Sequence, residues 1–133
     1  MNISESTKHR NTVQRKIILE HLVEMRNHPT IEEVHAEVSV RFPTISKSTV
    51  YRNLRILANN GQALRILLPD GLERYDGQTH SHYHFQCSSC EAVYDVEMEY
   101  LFDAERAVAQ KYNFEIISHD IIFRGFCNSC KEN

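Results

Sequence analysis

Two Cys-x-x-Cys pairs, Cys87/Cys90 and Cys127/Cys130, stand 36 residues apart and hold every cysteine of this 133-residue chain. No other feature restricts its folding as much. In a reducing compartment such spacing favours zinc over disulfides. Four thiolates give Zn²⁺ a closed tetrahedron with bonds of roughly 2.3 Å and leave no position open for a substrate. The site therefore reads as structural, with the metal tying the first strand of the C-terminal half to its last residues. Four unrelated free thiols are the competing reading.

The first pair closes a second unusual stretch, DGQTHSHYHFQCSSC, at residues 76–90. His80, His82 and His84 occupy alternate positions, and alternate side chains of an extended strand share one face. Asp76 precedes them, Asp95 follows the cysteine pair, and His28 lies in a loop between two N-terminal helices. Nitrogen and carboxylate donors suit Fe²⁺, Mn²⁺, Zn²⁺ or Ni²⁺ without selecting strongly among them. Ordinary surface or core histidines would leave the same pattern. His28, a loop histidine before proline, could simply face solvent, and His80 could be an exposed hinge residue instead of a ligand.

Hydrophobic residues make up 41% of the chain, enough for a core. No run of about 18 apolar residues offers a membrane span. The N-terminus, MNISESTKHRNTVQRK, lacks a secretory apolar segment, so a cytoplasmic location is expected. The net charge of −3 argues against a generally basic nucleic-acid binder. Residues 1–76, however, carry 11 Lys/Arg against 9 Asp/Glu, whereas residues 77–133 carry 4 against 9. Only the N-terminal half could face phosphates, and it would rely on the placement of a few cations.

Apolar spacing predicts a helix over residues 12–25, with Val13, Ile17, Ile18, Leu22 and Met25 inward and Asn11 or Thr12 as its cap. Thr30 and Glu33 form a capping box for a second helix that buries Ile31, Val34 and Val38, runs to about Arg41 and ends before Phe42-Pro43. Ser46 caps a third helix with Val50, Leu54 and Leu57 inward, and Gly61 stops it. Two strand-like runs, 63–68 and 72–75, follow around Pro69-Asp70-Gly71, a strong turn signal. Three helices and a hairpin spell a winged helix-turn-helix whose third helix enters the major groove. Ser48, Thr49, Tyr51, Arg52 and Arg55 would face DNA. A plain helical bundle with a solvated charged face is the alternative.

Gly77-Gln78-Thr79 reads as a hinge. Beyond it, strands are expected at 83–86, 92–96, 114–117 and 121–126, with a helix at 100–112 carrying Leu101, Ala104, Val108 and Tyr112 on one stripe. This α+β half is too small to bury all its apolar surface alone. The run Asp120-Ile121-Ile122-Phe123-Arg124 offers a surface for a second copy.

These elements together resemble the ferric uptake regulator family, and nearly the whole chain takes part. The matching segments are Thr12-Val13-Gln14-Arg15, NHPT at 27–30, STVYRNL at 48–54, ERYD at 73–76, HYHFQCSSC at 82–90 and GFCNSC at 125–130. The resemblance implies a homodimeric winged-helix repressor with a zinc-bearing dimerisation domain, in which a regulatory metal holds the two domains in a clamp that fits DNA. It implies His28, Asp76, His82, His84 and Asp95 as the regulatory ligands. Aspartate at both carboxylate positions resembles the peroxide-sensing branch, since the iron-uptake branch usually carries glutamate there. A second histidine–carboxylate cluster found in many iron-uptake members is dismantled: Ser81, Tyr83 and Phe102 occupy its places and only His119 remains. Arg52 departs from the peroxide sensors, which often carry asparagine at that position.

The reading is therefore an α+β chain with a winged-helix DNA-binding domain at 1–76, a hinge at 77–81 and a dimerisation and metal-binding domain at 82–133. It is expected to be a non-enzymatic repressor acting as a homodimer on AT-rich palindromic DNA, with structural Zn²⁺ and regulatory Fe²⁺ or Mn²⁺. Peroxide would oxidise His28 or His82. Two alternatives stand beside it. One is an uptake regulator that senses iron, manganese, zinc or nickel level alone. The other is a mononuclear metal hydrolase, against which five protein ligands leave little room for a nucleophilic water.

Overall fold

The N-terminal sequence places its apolar residues three and four apart, and this spacing builds the first core. A computed structural model describes residues 3–79 and 82–131, in two compact units, residues 1–79 and 80–133. His80 and Ser81, which the sequence places at the hinge, lie outside the described residues. The first unit contains α1 (Ile3–Glu24), α2 (Ile31–Ser39), α3 (Lys47–Asn59), β1 (Leu64–Leu67) and β2 (Glu73–Asp76). Ile18, Leu22, Val34, Val38, Val50, Leu54, Leu57 and Tyr75 form its buried cluster.

Helix α1 corrects the expected boundary. It begins well before residue 12, so neither Asn11 nor Thr12 caps it. Residues 3–11 hold no proline or glycine to stop a helix, and a polar extension adds no apolar period by which to see it. Val13 is exposed rather than inward. It stands nine residues from Leu22, two and a half turns, and so on the opposite face.

The other helix ends follow their caps. The Glu33 N–H donates to Thr30 Oγ1 at 3.1 Å and the Thr30 N–H to Glu33 Oε1 at 3.3 Å, a complete capping box. Helix α2 ends at Ser39, just short of Arg41, and Ile31 is only half-buried. The Thr49 N–H donates to Ser46 Oγ at 3.0 Å and starts α3. At its other end Gly61 has φ 75°, the Gln62 N–H reaches the Leu57 carbonyl at 2.9 Å and the Gly61 N–H reaches Ala58 at 3.1 Å. This paired bond satisfies two end carbonyls and needs a residue that adopts positive φ freely.

Strands β1 and β2 pair antiparallel, from Leu64 opposite Asp76 to Leu67 opposite Glu73. Strand β2 is also stitched to the loop before α2. The Tyr75 N–H donates to the Pro29 carbonyl at 3.0 Å, and Arg74 Nη1 donates to the His28 carbonyl at 3.1 Å.

The second unit is a three-stranded sheet and one helix: β3 (Tyr83–Cys87), β4 (Val93–Asp95), α4 (Phe102–Tyr112) and β5 (Ile121–Gly125). Strand β3 is central, antiparallel to β4 and parallel to β5. Residues 114–117 form no strand, contrary to expectation. A strand exists only with a ladder partner, and among the described residues this segment has none; Ile117 is 93% exposed. Helix α4 buries none of its residues, so the stripe that includes Val108 and Tyr112 faces outward. The expected apolar excess of this half is thus present on its surface.

Gly77, directly after β2, lies against α1. A Cβ there would sit 2.7 Å from Val23 Cα, a backbone atom that cannot swing aside. We predict that Gly77→Ala destabilises the first unit by about 1–3 kcal/mol through this overlap. Chemical denaturation followed by helical circular dichroism measures it, and a midpoint equal to that of the wild type contradicts it.

Candidate functional site

The thiols converge because β3 and β5 run in parallel, with Cys87 opposite Gly125, so both pairs leave the sheet at the same end. Each sulfur of Cys87, Cys90, Cys127 and Cys130 lies within 4.8 Å of the others, and Cys90 Sγ is 3.9 Å from Cys127 Sγ. Bonds of roughly 2.3 Å in a tetrahedron place neighbouring sulfurs about 3.8 Å apart, so the donor set fits zinc. Cys87 Sγ accepts the backbone N–H groups of Cys127 at 3.4 Å and of Cys90 at 3.5 Å. These bonds, Cys127's first, bring its pKa down to about 6, whereas sharing a proton with Cys127 pushes Cys130 up to about 11. A divalent cation bound by the four sulfurs would replace the protons they carry.

The nitrogen and oxygen donors form two pairs, one in each unit. In the first, His28 Nε2 faces Asp76 Oδ2 at 3.3 Å, with both side chains buried. The stitching of β2 to the 28–30 loop sets this distance. The Gln78 N–H holds the other Asp76 oxygen at 2.9 Å. His28 has φ 55°, an uncommon conformation for a residue with a side chain. In the second unit, His84 stands directly opposite Asp95 in the β3–β4 register, with Nε2 and Oδ1 3.2 Å apart. His82 is two residues from His84, and its Nδ1 lies 3.5 Å from Asp120 Oδ1. Imidazole and carboxylate donors of this kind suit Fe²⁺, Mn²⁺, Zn²⁺ or Ni²⁺ without selecting strongly among them.

Where the sequence reads a dismantled second cluster, the structure has a hydrogen-bonded network. Tyr83 Oη lies 2.6 Å from His119 Nε2, and His119 Nδ1 lies 2.8 Å from Glu105 Oε2. The Leu101 N–H donates to Tyr83 Oη at 2.8 Å, and Tyr100 bonds Glu105. Both ring nitrogens of His119 are engaged, and Phe102 is exposed. Glu105 escaped the sequence reading because its partner lies 14 residues away, across a turn that no motif marks.

On α3, Ser48 and Arg52 are exposed, and Thr49, Tyr51 and Arg55 are half-buried. Arg55 Nη1 donates to Tyr51 Oη at 2.7 Å and lies 3.9 Å from Glu73 of the hairpin. Glu73 also binds Arg65, which holds its carboxyl below the usual carboxylate range. Arg55 therefore ties the helix to the wing. The sequence reading missed Arg10, Asn11 and Gln14, which share an open polar cleft with Thr49 and Arg52. Their three- and four-residue spacing would have shown one polar face, had the helix been extended that far.

A three-helix unit with a β-wing, followed by a sheet bearing a four-thiol cluster, defines a metal-responsive winged-helix regulator. Residues 6–124 match the ferric uptake regulator family, and the chain belongs to it. It is 33% identical over 123 residues to the peroxide-responsive repressor PerR of Staphylococcus epidermidis, covering 92% of this chain and 82% of that one. The Campylobacter jejuni peroxide stress regulator matches with a TM-score of 0.78 at 25% identity, covering 98% of this chain and all of the other. A zinc uptake regulator complexed with zinc and DNA shares the fold, with a TM-score of 0.70 at 23% identity over 90% of this chain and 81% of that one.

Cys87→Ser should abolish zinc retention and unfold residues 82–131, because the binding free energy of a structural zinc is folding free energy. Metal analysis and near-ultraviolet circular dichroism read both effects. A variant that keeps one zinc per chain and its native spectrum rules the assignment out.

Proposed function

We propose that the chain is a peroxide-sensing, metal-dependent repressor that binds operator DNA as a homodimer. The observation that carries this reading is the pair of histidine–carboxylate contacts, His28–Asp76 and His84–Asp95, one in each unit, with both histidines and Asp76 buried and Asp95 exposed. An ion held by both pairs and His82 stabilises only the closed form, and so shifts the population toward DNA binding. His28 and Asp76 come from the unit that carries α3, and the other three ligands from the unit that carries the cysteines. Aspartate in both carboxylate places, and the likeness to peroxide-responsive relatives, favour peroxide as the signal.

Bound Fe²⁺ would activate peroxide, which is the two-electron oxidant. The chain's part is to hold His28 and His82 where an imidazole carbon would take one peroxide oxygen, its hydrogen passing to the ring and the other oxygen leaving as water; the altered ring would no longer serve as a ligand and the clamp would open. Thiolates closed around zinc are poorer targets. The outward apolar surface of the second unit, which exposes Phe114, Ile117 and Phe123, is covered in this reading by a second copy. On α3, Arg52 and Tyr51 meet the major groove. Acting on DNA, the protein works in the cytoplasm.

Mass spectrometry of Fe²⁺-loaded protein after peroxide should find one added oxygen on the peptide carrying His28 or His82, and none after Mn²⁺ loading. Unmodified histidines in a protein that still answers to iron would make it a sensor of metal level alone. The clamp has its own test. His28→Ala should keep zinc, fold and dimer, and still bind Mn²⁺ weakly, yet lose the Mn²⁺-induced gain in operator affinity, since a ligand that binds both states equally shifts nothing. An unchanged gain in this variant removes His28 from the clamp.

A further inference from the structure

Asn53 is the only polar side chain among the buried residues of α3, and it is 1% exposed. Its Oδ1 accepts the Nε–H of Arg15, on α1, at 3.1 Å. Its own amide N–H donates to the Thr49 carbonyl at 2.9 Å. The two bonds fix the amide in one orientation, since a flip would set N–H against N–H and oxygen against oxygen. Burying an amide among Leu54 and Leu57 is costly unless both its ends are met, and a leucine there would join α1 to α3 without that cost. What the amide adds is direction: it holds one guanidinium edge at one place.

That place is one helical turn along from residues that line the cleft between the two helices. Asn11 and Arg15 are one turn apart on α1, and Thr49 and Asn53 are one turn apart on α3. Asn11 and Thr49 both line the cleft, a cavity of about 530 Å³ that Arg10, Gln14 and Arg52 also line, with no carboxylate among the described residues of its walls. The Arg15–Asn53 bond therefore bridges the two helices one turn along from these lining residues. Arginine, hydroxyl and amide donors without an acid suit the oxygens of a sugar–phosphate strand. We propose that Arg15 and Asn53 are a positioning pair that sets α1 against α3, so that the cleft seats one phosphate strand of bound DNA with Arg10 as its cation. The proposal rests on the DNA-binding reading and names a contact beyond the base-facing residues of α3.

The test uses Mn²⁺-loaded full chain and a mixed-sequence duplex about three helical turns long. Affinity is measured against salt for the wild type, Arg10→Ala, Asn53→Ala and the double variant, with zinc content and thermal transition checked on each. Arg10→Ala should weaken binding on every sequence and lower the salt slope by about 1. Asn53→Ala removes no charge, yet should also lower the slope. Arg10→Ala should then cost less in the Asn53→Ala background than alone, a non-additivity that general loosening of the fold does not produce. Arg15→Lys keeps the charge while losing the Nε–H bond, and should behave as Asn53→Ala; it replaces that variant if the alanine prevents folding. Wild-type slopes for both Asn53→Ala and Arg15→Lys, or losses from Arg10→Ala and Asn53→Ala that simply add, overturn the positioning pair. A wild type that retains no duplex at all removes the DNA-binding reading and the proposal with it.

Discussion

The parallel pairing of β3 with β5 is the contact on which the second unit depends. It brings residues far apart in sequence to one end of the sheet, and with them the two cysteine pairs. Among the described residues of that unit the buried hydrophobics are only Tyr83, Cys87 and Val93. A body of this size with so thin a core cannot offset its chain entropy by apolar burial alone. Four metal–sulfur bonds at the open end of the pairing, and the second copy proposed to cover the exposed face, would supplement it.

The same strand serves both kinds of donor. Cys87 ends β3 and His84 lies within it, three residues earlier, on the opposite side of the pleat. Tyr83, between two proposed ligands, is pinned by the Leu101 N–H and by His119. The thiol cluster and the proposed histidine–carboxylate ligands therefore share one strand but not one donor type. In the proposed reading that separation would let a regulatory metal exchange while the structural one stays.

Much of this was legible because the sequence writes its local rules plainly. The capping box of Thr30 and Glu33, the serine cap of α3 and the glycine at its end each involve residues a few positions apart, and each appears in the structure. The cysteine pairs were legible for the same reason. What escaped depends on distance or on polarity. The early start of α1 carries no apolar period. The segment 114–117 has strand-like residues but no ladder partner among the described residues. Asn53 sits in a motif noticed for its outward residues, and only the packing of α1 reveals that it points inward, to Arg15.

The absence of a side chain at Gly77 has one more consequence. Asp76, whose oxygen faces His28, is followed by a residue whose backbone rests directly on Val23 near one end of α1. Arg10 lies thirteen residues back along the same helix, about 20 Å away at 1.5 Å per residue. A straight helix is stiff over that span. Helix α1 therefore joins two places by one element: its C-terminal end packs on the backbone beside a proposed ligand, and its N-terminal part forms a wall of the polar cleft.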